Sequence, residues 1–440
     1  MKKEQYKLLH TPEGVRDIYN GECEHKIKLQ KDMEDILKNY GFKSIQTPSF
    51  EFFDIFSEER GTVLSKEMYK FIDREGNTLV LRPDMTPSIA RCAAKYFNED
   101  DFPLRLTYTG NTYINNSSHQ GKLNETTQVG AELINDVSVE ADSEILAITV
   151  DCLRKAGLSE FQVEVGHADF FNGLMEEAAF DEDEILEMKS LMESKNLFGI
   201  EALMERKEIS QNLKELLMKL PELFGSMEHF SYARKMTNNR KALKALDRLE
   251  EILSIMDVYG MRNYITVDLG MLSKYNYYTG IIMKAYTYGT GEAVAQGGRY
   301  DNLVGQFGKN APAVGLVLLI DQLMFALLSQ KRIYEANEGG ILMLYQAETR
   351  NAAITVANKL RNQNKKVTLM HHPVSEKIAE STSEAISKAM KETTSEYEAF
   401  MDKTSIRYVV KMLTEDTIEV YDKTTNETKQ VIAIEWMEGV

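Results

Sequence analysis

Residues 105–116, RLTYTGNTYINN, and residues 126–134, TTQVGAELI, decide the fold. The first is rich in aromatic and β-branched residues and the second in β-branched ones, and the polar stretch from Ser117 to Asn124 between them has the length of a hairpin loop. They predict an antiparallel pair. Upstream, residues 70–86, KFIDREGNTLVLRPDMT, read as a second hairpin with its turn at Glu75-Gly76-Asn77, ended by Pro83, and residues 42–56, FKSIQTPSFEFFDIF, read as strands broken at Pro48. Before these, Glu24 to Tyr40 places Ile27, Met33, Ile36, Leu37 and Tyr40 on one helical stripe that stops at Gly41.

Downstream, EILAITVDCLRKAGL predicts a helix with Ser143 as N-cap and its end at Gly157, and FQVEVGH returns as a strand. From about Phe171 to Arg262 the texture turns Glu-, Lys-, Leu- and Met-rich at helical spacing, which predicts a helical insertion. Strand signals resume in YITVDLGM, YYTGIIMKAY and AVAQGG, and APAVGLVLLIDQLMFALL reads as a strand running into a buried helix. After the polar stretch Lys331 to Gly340, strand-like ILMLYQ, a helix from about Glu348 to Gln363, KVTLMHH, a second helix, IRYVVKML and IEVYDKTT alternate in type. The chain therefore divides into a core over residues 1–330 and a small α/β domain over residues 336–440.

Composition narrows the function. With 43% hydrophobic and 27% charged residues and 8 prolines in 440, the chain is an ordinary globular protein of several modules. A net charge of −16 repels phosphate backbones and argues against nucleic acid as a partner. Cys23, Cys92 and Cys152 lie far apart with no CxxC spacing, so no zinc site or disulfide framework is expected, and a cytoplasmic setting follows. The N-terminus, MKKEQYKLLHTPEG, lacks an apolar run of signal-peptide length, and the run from Ala311 to Leu328 is interrupted by Asp321 and Gln322, which argues against a membrane span. His371-His372 has no acid or Cys spacing for a metal, the His119 loop with Ser117, Ser118 and Gln120 reads as a solvated hairpin tip, and Asp181 to Glu184 reads as a helix N-terminus.

The strings TPEGVRD, PSFEFF, LRPDMT, TQVGAELI, NYYTG and GGRYDNLVGQFG…PAVGL occur in the order and at roughly the spacing found in the histidyl-tRNA synthetase family, which the chain resembles over about residues 10–330. The resemblance implies an α+β fold of class II aminoacyl-tRNA synthetase type: an antiparallel sheet flanked by helices, with the region around Pro48 at a homodimer interface. It also places the small α/β domain where the synthetases carry their anticodon-binding module. That domain holds 16 acids and 13 bases from Ala336 onward, a balance that does not favour RNA.

Activating histidine needs cations around ATP and the developing phosphorane charge, and arginine, with its permanently charged planar fork, suits that task. In the family's second motif an aromatic residue is followed by Arg and, two residues later, by Glu; this chain reads Tyr113, Ile114, Asn115, Asn116. Ser273, in the string Ser273-Lys274-Tyr275-Asn276-Tyr277-Tyr278, stands where the family has a phosphate- and carboxylate-contacting Arg, and Gln322 stands where its third motif has another. Lys122 and Lys274 are point charges in other positions and poor replacements for a positioned fork. The amino-acid side is different. Residues aligning with the family's histidine contacts are Asp84, Thr86, Gln128, Glu132 and Tyr278, with Tyr277 beside them, and they supply the acceptors and flat wall that an ammonium and an imidazole require. Asp84 stands where synthetases commonly have Glu, and Met85 where they have Gly, which implies a reshaped pocket.

A synthetase core without its phosphate arginines resembles the regulatory-subunit family of ATP phosphoribosyltransferase, which LRPDMT and TQVGAELI look closely like. The resemblance implies a cytoplasmic, non-catalytic, cofactor-free partner of the short catalytic subunit. Such a partner would pass on inhibition by free histidine in the first step of histidine biosynthesis. The alternatives are a divergent histidyl-tRNA synthetase or amino-acid ligase, against which Ile114, Ser273 and Gln322 speak, and a tRNA-binding sensor, against which the charge of −16 speaks.

Overall fold

A computed structural model describes residues 9–56, 63–97, 102–116, 121–272, 277–332, 339–372 and 406–439. The chain forms two compact units, one of Met1–Asp17 with Lys26–Arg332 and one of Ile18–His25 with Ile333–Val440. Helix α1 (Asn20–Asn39) buries Leu29, Met33 and Leu37, one stripe at four-residue spacing, and Gly41 follows at φ +83°, a left-handed conformation in which a side chain would be strained. Strands β1 (Lys43–Ser44), β2 (Phe50–Phe52), β3 (Lys70–Ile72) and β4 (Thr78–Leu81) come next. The last three make a small antiparallel sheet in the order β2-β4-β3, and the β3–β4 turn is held by the Asp73 carboxylate, which accepts from the N–H groups of Glu75 and Asn77.

Pro83 ends β4, and α2 (Thr86–Tyr96) begins three residues later with Pro87 in its first turn. The long strands β5 (Leu104–Tyr113) and β6 (Glu125–Ile134) pair antiparallel along their whole length, from Leu104 opposite Ile134 to Tyr113 opposite Glu125. Helix α3 (Val139–Lys155) is almost continuously buried. Its cap is Ser138, whose hydroxyl accepts from the Ala141 N–H, and not Ser143; Ser143 lies one turn inside, donating to the Val139 carbonyl. Burial of Val139, Ala141 and Asp142 carries the helix one turn beyond the start that its sequence periodicity suggests.

Strand β7 (Phe161–His167) leads into six insertion helices: α4 (Ala168–Glu177), α5 (Glu182–Glu193), α6 (Leu197–Met204), α7 (Gln211–Lys219), α8 (Glu228–Met236) and α9 (Arg240–Val258). The acidic run at 181–184 caps α5: Asp181 accepts from the Glu184 N–H, and Glu184 accepts from that of Asp181. Strands β8 (Ile265–Val267), β9 (Ile281–Thr287), β10 (Ala295–Arg299) and β11 (Ala313–Leu319) complete the main sheet, ordered β1-β5-β6-β11-β10-β9-β7-β8, and β11 runs directly into α10 (Ile320–Ser329). Pairing is antiparallel except for β1 with β5 and β7 with β8.

A buried ion cluster ties the insertion to this sheet. Asp142 on α3, fully buried, accepts from the Arg299 Nε at the end of β10 and from the Arg248 Nε on α9, both at 2.8 Å. Arg299 also donates to the carbonyls of Asp136 and Ser138, so the arginine of GGRYD is a structural clamp.

The second unit holds β12 (Gly340–Tyr345), α11 (Arg350–Asn362), β13 (Val367–His371), β14 (Ile406–Met412), β15 (Thr417–Asp422), β16 (Glu427–Ile432) and α12 (Ala433–Gly439), with strand order β13-β12-β14-β15-β16. Strand β12 lies parallel to both its neighbours, and Ile341, Met343, Leu360, Val410 and Ile418 form its core. The second helix expected between KVTLMHH and IRYVVKML falls on residues 373–405, outside the described residues, as does the His119 loop. Among the described residues no group of three or more His, Cys, Asp or Glu is arranged to hold a metal ion, and no helix is long and apolar enough to cross a membrane.

Candidate functional site

Alternation along β6 turns Gln128, Gly130 and Glu132 to one face of the main sheet. Opposite Glu132 in the ladder stands Gly315, where a Cβ would fall 1.8 Å from the Glu132 Oε2, and opposite Tyr108 stands Gly130, where a Cβ would meet the Tyr108 phenol at 2.3 Å. These two glycines make room for a carboxylate and a ring on a sheet face that ordinary side chains would fill. The N-terminal end of α2 brings Asp84 and Thr86, the segment before β9 brings Tyr277 and Tyr278, and Tyr300 follows β10.

Together these residues line a small pocket. The Glu132 carboxylate accepts from the Thr86 hydroxyl at 2.9 Å and the Tyr300 hydroxyl at 2.5 Å. Asp84 accepts from the Tyr277 hydroxyl and from the Thr86 N–H, both at 3.2 Å. Tyr277 stands edge-on to Tyr300, with ring centroids 5.9 Å apart, and lies against Tyr278 at 4.8 Å. Met85, in the following position of LRPDMT, is buried in the core beneath, with Ile89, Tyr108 and Tyr300 in the same cluster.

The six residues singled out from sequence, Asp84, Thr86, Gln128, Glu132, Tyr277 and Tyr278, all line this one cavity. Sequence reading missed Tyr108, Gln296 and Tyr300. Tyr300 was visible as the aromatic of GGRYD but reads there as a turn residue, and the place of Tyr108 depends on the β5–β6 register.

Electrostatically the cavity is a cage of acceptors. Burial pushes the Glu132 carboxyl up to about 8, against hydrogen bonds from Tyr300 and Thr86 that favour the charged form and with Asp84 nearby opposing it. Burial also raises Asp84, against the Thr86 N–H and the Tyr277 hydroxyl, and holds Tyr108 and Tyr300 well above the ordinary phenol range. Among the described lining residues there is no Lys, Arg or His. The buried oxygens of Asp84 and Glu132 can accept from a ligand's cationic group, and the tyrosine rings offer a flat wall for the body that carries it.

The positions where the resembled synthetases carry phosphate arginines look different. Ile114 packs against the apolar cluster of Phe56, Val63, Met68 and Val80. Gln322, in the first turn of α10, accepts from the Thr290 hydroxyl at 3.2 Å, and its amide faces the Glu292 carboxylate. Beside it Asp321 accepts from the Thr127 N–H at 2.6 Å and pairs with Lys26 at 2.7 Å. Lys122 pairs with Glu292, both exposed; Ser273 and Lys274 lie outside the described residues.

The raised Glu132 carries a stability consequence with a definite sign. Its ordinary value is 4.5 and its folded value about 8, so between them the folded chain holds a proton that the unfolded chain releases, and stability falls as pH rises through that window. Glu132→Gln cannot ionise; its amide oxygen keeps one of the two accepted hydrogen bonds, and its NH2 group can donate to the other hydroxyl oxygen. Calorimetry should show it melting about 5 °C above the wild type at pH 8.5 and close to it at pH 5. Equal differences at the two pH values would contradict the raised carboxyl.

Comparison with known proteins fits this geometry. A family model described as histidyl-tRNA synthetase matches residues 14–323. The ATP phosphoribosyltransferase regulatory subunit of Acetivibrio thermocellus is 41% identical over 81% of this chain and 85% of its own length, and that of Ruminiclostridium cellulolyticum is 39% identical over 82% and 86%. Among solved structures, an ATP phosphoribosyltransferase regulatory subunit/histidyl-tRNA synthetase from Bacillus halodurans superposes with a TM-score of 0.75 at 30% identity, covering 87% of this chain and 96% of that one. The histidyl-tRNA synthetase of Nostoc sp. PCC 7120 shares the fold at 18% identity, with a TM-score of 0.78 over 98% of both chains. The chain belongs to the ATP phosphoribosyltransferase regulatory subunit family, built on the class II fold of histidyl-tRNA synthetase.

Proposed function

We propose that this chain is a non-catalytic regulatory subunit that a short-form ATP phosphoribosyltransferase catalytic subunit requires for activity, and that it binds free histidine and passes feedback inhibition to that partner. The observation that carries the reading is the split character of the site. The half suited to an amino acid is an intact cage of Asp84, Thr86, Gln128, Glu132, Tyr277 and Tyr278, while the phosphate half offers Ile114 among apolar side chains and Gln322 beside Asp321 and Glu292. The names of the relatives point the same way. Aminoacylation is lost in this reading, and no cofactor is needed.

The core over residues 1–330, with the insertion at about 171–262, takes the place of the synthetase catalytic domain, and residues 336–440 take that of the anticodon-binding module. The −16 charge disfavours tRNA there. A second copy pairs through the core near Pro48. Supporting this, Phe50, Phe52, Phe71 and Ile72 of the small sheet are exposed, with Phe50 and Phe71 edge-on at 5.7 Å, an apolar surface of the kind that copies cover. The setting is cytoplasmic.

Association is checked by gel filtration with light scattering on this protein mixed with the short-form catalytic subunit from the same organism. One species heavier than either component is expected. Separate elution at micromolar concentrations of both would contradict the proposal.

A further inference from the structure

The walls of the cage meet at Arg299. Tyr300, whose hydroxyl donates to the Glu132 carboxylate at 2.5 Å, directly follows Arg299 in the chain. The Arg299 carbonyl accepts from the Thr279 N–H at 2.8 Å, and Thr279 directly follows Tyr277 and Tyr278. Its side chain lies against the same segment: a Cβ at Gly280 would fall 2.8 Å from the Arg299 Cδ. The guanidinium then donates to the Asp136 carbonyl at 2.8 Å, just beyond the strand that carries Glu132.

That guanidinium is held in turn from the helical insertion. The two oxygens of the fully buried Asp142 carboxylate are divided between two arginines: Oδ1 accepts from Arg299 at 2.7 and 2.8 Å, and Oδ2 from Arg248 of α9 at 2.6 and 2.8 Å. Arg248 and Arg299 also donate to the same Ser138 carbonyl, at 2.7 and 3.3 Å. An anion shared by two cations takes its place from both. Without Arg248, the Oδ2 oxygen loses its donors in a buried setting, so the carboxylate turns toward other donors and Arg299 moves with it.

Resting on the histidine reading of the cage, we infer that Arg248 is a positioning residue for the ligand: acting from the insertion through Asp142 and Arg299, it fixes the tyrosine walls in the arrangement that binds histidine. Insertion and cage are thereby coupled. Whatever free energy the insertion contributes to histidine affinity, bound histidine returns to the insertion, so an occupied cage tightens α9 against the core. Helix α9 faces solvent at Lys244, Asp247 and Glu251, which gives the state of a buried pocket an outlet at the surface.

Isothermal titration calorimetry of L-histidine against the full chain, with hydrogen–deuterium exchange of the same proteins, tests this coupling. Arg248→Met, which removes the charge and keeps the stem, is expected to weaken histidine about tenfold or more, and Arg248→Lys, which returns one donor to Oδ2, to bind about threefold or more tighter than Arg248→Met. Leu216→Ala, which thins the insertion's own core on α7, is expected to bind like the wild type. Saturating histidine is expected to slow exchange across Arg240–Val258 about fivefold in the wild type and to leave it unchanged in Arg248→Met, while β5 and β6 are slowed in both. Arg248→Met binding with wild-type affinity would overturn the inference and leave histidine sensing in place. Equal weakening by Leu216→Ala would also overturn it, by reducing the effect of Arg248 to general loosening. The wild-type exchange comparison stands even if Arg248→Met fails to fold: no slowing across α9 on adding histidine would overturn the inference. Absence of histidine binding by the wild type would overturn it together with histidine sensing at this site, while association with the catalytic subunit would be judged separately by gel filtration.

Discussion

Histidine-dependent ATP–pyrophosphate exchange by this chain is expected to be indistinguishable from the blank, at least about 10⁶-fold below a rate typical of an activating enzyme. Loss of one transition-state donor removes roughly 2.7–4 kcal/mol, and three such positions carry no arginine here even though their effects do not add fully. Restoring one does not repair the site. Ile114→Arg would push a guanidinium among Phe56, Val63, Met68 and Val80, where it has no anion and the apolar packing of Ile114 is lost. Gln322→Arg would face Glu292 and lie next to Asp321, so the new cation would meet protein carboxylates before a phosphate. Both single variants should remain inactive in exchange, with Ile114→Arg also destabilised by about 2–4 kcal/mol in denaturant unfolding. Measurable histidine-dependent exchange by the wild-type chain would show that the phosphate half of the site is built from residues other than those the family uses.

The second large effect is structural. Asp142→Asn should destabilise the chain by about 3–5 kcal/mol, lowering the melting temperature by about 10 °C, because it leaves two guanidinium groups facing each other without their shared anion. Arg299 is buried, and Arg248 donates twice to the same carboxylate oxygen, with the shorter contact at 2.6 Å. The cluster joins α3, the last insertion helix and the strand end that precedes Tyr300, so its loss should also loosen the cavity wall. A loss below 1 kcal/mol, measured by urea unfolding, would mean that water reaches the arginines and that the cluster is not the clamp described here.

Much of this was legible in the residues themselves. The β5–β6 pair follows from alternating aromatic and β-branched residues on either side of a polar loop, and the spacing of Gln128 and Glu132 on one strand already places both on one face. The insertion announced itself through helical periodicity and the Asp181 cap. What was hidden depended on contacts between distant segments. Ser138 and Ser143 are both plausible caps in SVEADSE, and burial of the turn between them against the rest of the core decides for Ser138. The arginine of GGRYD reads as a turn residue until Asp142 is placed beside it, and Tyr108 becomes a wall of the cavity through its place opposite Gly130. Strand β16 and helix α12 were not predicted: β16 is an edge strand with four exposed residues in a row and carries no alternation for a sequence reading to detect.

The most direct test of the regulatory account is ATP phosphoribosyltransferase activity of the short-form catalytic subunit from the same organism, measured alone, with this protein, and with this protein plus histidine. The account predicts little activity alone, stimulation of at least tenfold on adding this chain, and suppression of that stimulation by histidine that Glu132→Gln weakens. Unchanged catalytic activity in the presence of this chain, with or without histidine, would contradict it.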